Sequence, residues 1–282
     1  MSRSIGIYTF INKNIDNNET IEDYSYILDT DTEQLVFEAS DYADFAVFNL
    51  EFYNDLEKAD KYFLKSLEIE PDNAFWLGSY AMFLHYYKRD IKKAALYYSK
   101  SIELDNDVVH IYNYALLALT EQKKYKLAES MLKLSISLEP DDLKIRITYI
   151  GYLLKIKKDY VNAEKELNKI LKFRKKEKRI WALYAQLKIF DGQKEEADKI
   201  ISQAFNSNLP DEILMELWFY RYAHLPKWLE KAEFELNKMI NNGIKTFAWG
   251  LTQNVIIAIF EGHPYANKLQ ELATKIKGNY KY

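Results

Sequence analysis

The feature that most constrains the fold is a set of alanines that recurs along the chain at a nearly constant interval. Successive members lie 34 or 35 residues apart, and the set is Ala59, Ala94, Ala128, Ala163, Ala197, Ala232 and Ala266. Around the second member, residues 91–105 place small and apolar side chains on one helical face and lysines on the other. A single helix of this kind cannot bury its apolar face alone. The repeated interval therefore predicts stacked supersecondary units rather than one globular core.

Two further sets of positions keep the same interval. A large apolar residue follows six of the seven alanines four positions later, and an aromatic residue precedes most of them by about fourteen positions. Where two helices cross closely, a small residue is expected at the contact because a larger side chain would push the helices apart. Each unit is therefore predicted to be a pair of helices joined by a tight turn.

The combined pattern resembles the tetratricopeptide repeat family across residues 40–278. In the second unit the matching positions are Pro71, Leu77, Tyr80, Ala81, Leu84, Ala94, Tyr98 and Ser101. The resemblance implies an all-α fold, a right-handed superhelical solenoid of about seven antiparallel helix-turn-helix repeats. The predicted repeats are residues 40–72, 73–106, 107–141, 142–176, 177–210, 211–245 and 246–278. Residues 1–39 lie outside the register, as a cap or as an element folded against the solenoid, and residues 279–282 form a tail.

Composition favours a cytoplasmic protein without disulfides or thiolate metal sites. The chain has no cysteine, and no stretch is apolar enough for a signal peptide or a membrane span. Its four histidines, His85, His110, His224 and His263, are scattered over separate repeats and have no partners at metal-ligand spacing. Motifs that activate a nucleophile or bind phosphate are also absent from the sequence. We therefore expect no enzyme activity, no catalytic residues, no metal and no cofactor.

Charge is divided unevenly along the chain. Residues 1–73 carry 17 acidic and 5 basic residues, a net charge of -12, and the remainder carries 25 acidic and 34 basic residues, a net charge of +9. The two parts can attract each other, which could close the solenoid on itself, pair two copies in a homo-oligomer or steer a charged partner. The densest basic run, residues 169–179, holds seven basic residues but only one aromatic residue. We therefore expect an acidic protein surface rather than a nucleic acid as its partner, and no membrane partner.

In the family that the chain resembles, the first helix of each repeat lines the concave surface, where peptides or partner helices bind. The resemblance therefore places a protein or peptide site on this surface. The predicted contact residues are Ser79, Met82, His85, Tyr86, Tyr112, Asn113, Lys144, Thr148, Lys155, Arg179 and Gln186. These imply a scaffold or adaptor that binds a folded partner or an internal segment. The alternative is an immunity- or inhibitor-type protein that neutralises one specific enzyme or toxin by wrapping it.

Overall fold

The computed structural model describes residues 37–173, 178–246 and 251–278. Within these ranges the fold is all-α, and the only β-bridge among them joins Thr246 to Lys277. The chain divides into two units, with the boundary between Pro140 and Asp141. Of the predicted N-terminal segment 1–39, only the last three residues belong to the described part, and the predicted tail 279–282 lies outside it.

Unit 1, up to Pro140, contains three helix pairs in its described part. Its helices are α1 (Ala39–Phe48), α2 (Leu56–Ile69), α3 (Ala74–Phe83), α4 (Ile91–Leu104), α5 (Val108–Thr120) and α6 (Tyr125–Leu138). Short π-helical turns, Asn49–Tyr53 and Leu84–Lys88, extend α1 and α3. Within this unit each odd-numbered helix packs mainly against the even-numbered helix that follows it. This pairing is the predicted antiparallel helix-turn-helix repeat.

Unit 2, from Asp141, contains four helix pairs in its described part. Its helices are α7 (Leu143–Tyr152), α8 (Tyr160–Phe173), α9 (Arg179–Phe190), α10 (Lys194–Phe205), α11 (Asp211–His224), α12 (Leu229–Asn241), α13 (Leu251–Phe260) and α14 (Ala266–Ile276). A π-helical turn, Leu153–Lys157, extends α7, and a 3-10 turn, Pro226–Trp228, precedes α12. Across both units, no described helix is long and apolar enough to span a membrane.

The recurrent alanines lie where the pattern predicts, inside the helix packing. Six of the seven, all except Ala266, have no exposed surface. In these six repeats the residue four positions later, such as Tyr98 on α4 or Leu132 on α6, is also buried. Small residues thus allow each second helix to approach its neighbours closely, and the large residue one turn later fills the space beside them.

The seventh pair departs from the predicted register. Ala266 is half-buried and Gln270 is exposed, whereas Leu269, Leu272 and Ile276 are buried. The buried stripe of α14 therefore lies one residue earlier than the alanine interval predicts.

A left-handed residue closes the turn inside most repeats. The residues with positive φ at these turns are Asn54, Arg89, Lys123, Lys158, Gly192 and Gly262. After Asn54 and Arg89 an aspartate begins the second helix, and the Asp55 and Asp90 side chains accept hydrogen bonds from the Lys58 and Lys93 amides at 3.0 and 3.1 Å. These aspartates satisfy amide groups that have no partner within the helix. The turn geometry therefore repeats along with the alanines.

The first helices of the second and third repeats approach unusually closely at Gly78. A Cβ atom built on Gly78 of α3 would lie 2.1 to 2.3 Å from atoms of the His110 ring on α5. His110 is held in place, because its Nδ1 lies 3.1 Å from the Ser101 hydroxyl, which donates a 2.7 Å hydrogen bond to the Ala74 carbonyl. Burial lowers the pKa of His110, so the ring packs as a neutral group. Glycine is therefore required here by the contact between repeats.

We predict that Gly78→Ala destabilises the protein, although alanine is intrinsically the better helix former by about 1 kcal/mol. The added methyl group must displace the His110 ring, and overpacking of this kind costs about 1–3 kcal/mol. The free energy of unfolding, measured by urea denaturation with circular dichroism, should fall. Ser79→Ala, one residue further along α3, is the control and should change stability little. Stability of Gly78→Ala equal to or above wild type would contradict the close contact.

Candidate functional site

The eleven predicted contact residues fall into two groups, one on each unit. Ser79, Met82, His85, Tyr86, Tyr112 and Asn113 form what we call the first-helix face of unit 1. Lys144, Thr148, Lys155, Arg179 and Gln186, together with Glu216, form the first-helix face of unit 2. In each unit these residues lie on, or directly after, the first helices of successive repeats. The assignment of the eleven residues to partner binding remains a prediction.

The predicted residues differ in how accessible they are. His85, Tyr112, Asn113, Thr148 and Gln186 are buried. Ser79, Met82, Tyr86, Lys155 and Arg179 are half-buried, and Lys144 is exposed. The sequence pattern identifies the helix face but gives no information on how deeply each side chain lies. The half-buried and exposed members are the ones that can contact a partner without rearrangement of the chain.

In unit 1 the structure brings His85, Tyr86 and Asn113 together. The Tyr86 hydroxyl donates a hydrogen bond to Oδ1 of Asn113 on the next repeat, and Asn113 donates from Nδ2 to the Val109 carbonyl at 2.8 Å. The His85 ring stacks on Tyr86 with 4.2 Å between ring centroids. Burial lowers the pKa of His85 to about 4, so this histidine is neutral near pH 7. The group is a hydrogen-bonded aromatic cluster that links two repeats.

In unit 2 a buried glutamate interacts electrostatically with cations from two other repeats, so that three successive repeats contribute charged residues. Glu216 of α11 is only 8% exposed, and it interacts electrostatically with Lys155, from the turn after α7, and with Arg179, from the start of α9. The Tyr220 hydroxyl, one helical turn after Glu216, donates a hydrogen bond to this carboxylate. The face therefore combines two cations with one buried, oriented carboxylate.

Burial changes the proton affinity of these groups in opposite directions. Burial lowers the pKa of Lys155 from 10.5 to about 8, and the Glu216 charge opposes this shift only in part. Burial also raises the pKa of Glu216, whereas the Tyr220 hydrogen bond and the nearby cations favour its ionised form. Near pH 7 Lys155 is still protonated, but its charge is held in an unfavourable, poorly hydrated environment. Strongly perturbed groups of this kind are enriched at functional sites.

Glu216 and Tyr220 are missing from the sequence prediction. The available signal is a single glutamate within the otherwise strongly apolar stretch of residues 213–220. A carboxylate at such a position has to be buried and paired, because an isolated buried charge is very costly. Its partners lie 37 and 61 residues earlier in the chain, so the helical period alone could not identify them.

A second cluster of titratable groups surrounds a cavity of about 70 Å³ in unit 2. His224 is buried, with its Nε2 atom 2.9 Å from Oδ1 of Asn254 and its Nδ1 atom 3.6 Å from Glu261. Lys194 pairs with Glu261 at 2.9 Å, and Nε2 of His263 lies 2.9 Å from the Tyr222 carbonyl. Within the described ranges, no three potential metal ligands come together here or elsewhere. These contacts join the last three helix pairs to one another.

Aromatic rings in the same unit surround an arginine and leave it little contact with solvent. The Arg221 guanidinium lies 3.8 Å from the ring centroid of Trp228 and 4.8 Å from that of Phe205. It pairs with Asp198 at 2.8 Å and donates to the Ser202 hydroxyl at 2.6 Å. Because Arg221 already occupies the space among these rings, the cluster is a packing element and offers no cage for a ligand cation.

Comparisons with known proteins agree with this architecture. Models of the tetratricopeptide repeat match residues 119–187 and 51–73. No curated protein matches the sequence.

Several solved structures share the fold at low sequence identity. A tetratricopeptide repeat protein from Parabacteroides merdae is 16% identical, with a TM-score of 0.65 over 84% of this chain and 98% of its own. PilF from Pseudomonas aeruginosa is 17% identical, with a TM-score of 0.56 over 83% of this chain and 96% of its own. YrrB, described as a TPR protein with an unusual peptide-binding site, is 17% identical, with a TM-score of 0.52 over 74% of this chain and 94% of its own. The chain therefore contains tetratricopeptide repeats at residues 51–73 and 119–187, and it shares the stacked helix-pair fold of these solved structures.

Proposed function

We propose that this chain is a protein-interaction module, and that the first-helix face of unit 2 binds an acidic segment of a partner protein. The observation that carries the proposal is that Lys155 and Arg179, from two other repeats, both interact electrostatically with the buried Glu216. Lys155 and Arg179 place two cations on this face, and Lys144 adds an exposed ammonium group to it. A carboxylate of the partner would be attracted to these cations.

The environment of Lys155 is the physical argument for function rather than for stability. A lysine whose pKa is lowered to about 8 by burial is charged near pH 7 at a cost in folding free energy. An apolar side chain of similar length would avoid this cost. Retention of a destabilising charge is expected where that charge is used in binding, and an acidic group of a partner would compensate the poorly hydrated ammonium.

The fold is well suited to this role. Stacked helix pairs present side chains from several repeats on one continuous surface, so a partner is contacted at many points by a framework that is already ordered. YrrB, which shares the fold, is described as having a peptide-binding site. The charged residues on three successive repeats can all contact one extended or helical segment that crosses these repeats.

An immunity- or inhibitor-type protein would differ from an adaptor in the stoichiometry and the selectivity with which it binds its partner. An inhibitor would form one tight complex with a single enzyme or toxin and would abolish its activity. An adaptor would bind several partners, or segments of them, more weakly. Both roles would use the same surface of unit 2, so the first experiment addresses the surface and the recovered partner then distinguishes between the two roles.

We predict that reversing the charges with Lys155→Glu and Arg179→Glu prevents recovery of the partner in affinity purification from the native host. Lys165→Glu is the matched control, because Lys165 is an exposed lysine on the second helix α8. The control should recover the same partner as wild type, since it changes net charge without altering the proposed surface. Quantitative mass spectrometry of the bound fraction is the measurement. Equal recovery by the charge-reversed variant and wild type would contradict the proposed site.

We also predict that Lys155→Met stabilises the protein near pH 7 and that this gain disappears as the pH rises. The pKa of Lys155 is about 8 in the folded protein and about 10.5 in the unfolded chain. Folding of the protonated lysine therefore costs free energy at low pH. The penalty is complete below pH 8 and is lost as the pH rises from 8 towards 10.5, where the unfolded chain also loses the proton. Thermal denaturation of both proteins between pH 7 and pH 10 measures the difference. A difference that does not depend on pH, or a loss of stability at pH 7, would disprove the assignment.

A further inference from the structure

Five large apolar side chains are half-exposed along one edge of unit 1. Ile69, Leu104 and Leu138 are the last residues of α2, α4 and α6, whereas Phe75 and Val109 are the second residues of α3 and α5. Their exposed fractions lie between 42% and 52%. All five therefore lie where a second helix ends and the next first helix begins. Equivalent positions in successive repeats carry the same kind of side chain.

Contacts between the second and third repeats show that the central positions of this edge are neighbours in space. The Phe75 ring lies 6.0 Å from the His110 ring, centroid to centroid, and His110 directly follows Val109 in α5. The Ser101 hydroxyl, near the end of α4, bonds to the carbonyl of Ala74 at the start of α3. The turn before α3 and the turn before α5 consequently lie side by side. We call the row of Ile69, Phe75, Leu104, Val109 and Leu138 the apolar edge of unit 1.

Carboxylates flank the apolar edge, whereas the nearest lysines, Lys65 and Lys100, lie one helical turn before Ile69 and Leu104. The flanking acidic residues in these turns are Glu68, Glu70, Asp72, Glu103, Asp105, Asp107 and Glu139. No lysine or arginine occurs in residues 66–87 or 101–122. In the part of the chain that the structure describes, none of these seven carboxylates has a lysine or arginine nitrogen within 4.0 Å. The edge therefore presents apolar surface among carboxylates that make no direct ion pair with lysine or arginine.

The fold explains only some of these charges. Asp107 begins α5 and accepts hydrogen bonds from the Val109 and His110 amides at 2.8 and 3.2 Å, so it has a structural role. Glu103 accepts a 3.0 Å hydrogen bond from the Ser99 hydroxyl, but Glu68 and Glu103 both lie in the last turn of their helices, α2 and α4, where the helix dipole disfavours negative charge. Half-exposed aliphatic residues beside them also lose the benefit of full burial. Both features are unfavourable for the isolated unit, and both become favourable when a basic apolar partner covers them.

We propose that the apolar edge of unit 1 is a second docking surface, which binds a basic amphipathic α-helix of a partner protein. Charge complementarity selects a basic occupant, because an acidic one would be repelled by the flanking carboxylates. Spacing selects a helix. Packed helices lie roughly 8–10 Å apart, and an α-helix rises about 10.5 Å in seven residues. Apolar residues one heptad apart can therefore meet successive turns of this edge while lysines or arginines beside them contact the carboxylates.

The apolar edge of unit 1 differs from the first-helix face of unit 2 in its position, in the charge of its partner and in the experiment that tests it. The first-helix face of unit 2 is matched to an acidic segment, whereas the apolar edge of unit 1 is matched to a basic one. Failure of either proposal leaves the other intact, because no residue belongs to both surfaces. A chain with both surfaces could hold two partners of opposite charge at the same time.

The test titrates the full chain with a fluorescently labelled synthetic helix of three heptads, with leucine on one face and lysine on the others. Anisotropy should show saturable binding that weakens as salt rises, since the interaction is partly electrostatic. Leu104→Ser combined with Val109→Ser should weaken binding at least tenfold. Leu96→Ser is the matched control, because Leu96 is 53% exposed but lies in the first half of α4, away from the edge. This control should bind as wild type does.

Two further arms separate the proposal from nonspecific attraction. A peptide of the same composition, scrambled so that its leucines no longer share one face, should bind at least tenfold more weakly. Glu68→Lys combined with Glu103→Lys should weaken binding of the amphipathic peptide without removing apolar surface, which covers the case in which the serine variant is poorly folded. Absence of binding, equal binding of the scrambled peptide, or unchanged affinity in both edge variants would overturn the proposal.

Discussion

The close approach of helices at small buried residues is the constraint on which the rest of the structure depends. Completely buried alanines on α2, α4, α6, α8, α10 and α12 let each second helix lie close to its neighbours. A larger side chain at any of these points would separate the helices and open voids that the surrounding residues could not fill. The same constraint recurs between first helices, where Gly78 allows the His110 ring to lie against α3. Small residues thus set the spacing between repeats, and the large residues fill it.

Polar groups are arranged around this packing in distinct ways. His85 and His110 are buried as neutral rings that link neighbouring repeats through stacking and hydrogen bonds. Arg221 is buried with its charge compensated by Asp198 and by aromatic rings. Burial shifts the pKa of Lys155 and of Glu216 towards the neutral form in the same way, and both residues lie on the first-helix face of unit 2. The same physical effect therefore acts on groups that link repeats and on groups of the proposed binding surface.

The sequence was sufficient for the fold class and for most of the packing, because one repeated interval determines both. It was insufficient where local geometry changes without changing that interval. Arginine and lysine are not residue types that indicate a left-handed conformation. Arg89 and Lys158 nevertheless adopt it, at the same position of the repeat as Gly192. In the last pair, Ala266 keeps the repeat interval although the buried stripe lies at Leu269, Leu272 and Ile276. A prediction made from periodicity is therefore weakest at the turns and in the terminal repeat.

The candidate site could be predicted only as a face. The resemblance to tetratricopeptide repeats located Lys155 and Arg179 on first helices, but Glu216 was missed because its role depends on contacts between repeats. Burial also could not be read from the helical position, as the completely different exposures of Lys144 and Thr148 on one helix show. Side-chain depth and pairing depend on the neighbouring repeat, and a period within one chain carries no information about them.

The most direct test of the account compares two adjacent alanines of α4 by measuring the free energy of unfolding in urea. Ala94 has no exposed surface and lies at the recurrent contact, whereas Ala95 is only partly buried. We predict that Ala94→Leu lowers the free energy of unfolding by about 1–3 kcal/mol through overpacking, whereas Ala95→Leu lowers it clearly less. Equal effects of the two substitutions, or a stable Ala94→Leu protein, would contradict the claim that small residues set the distance between stacked helices.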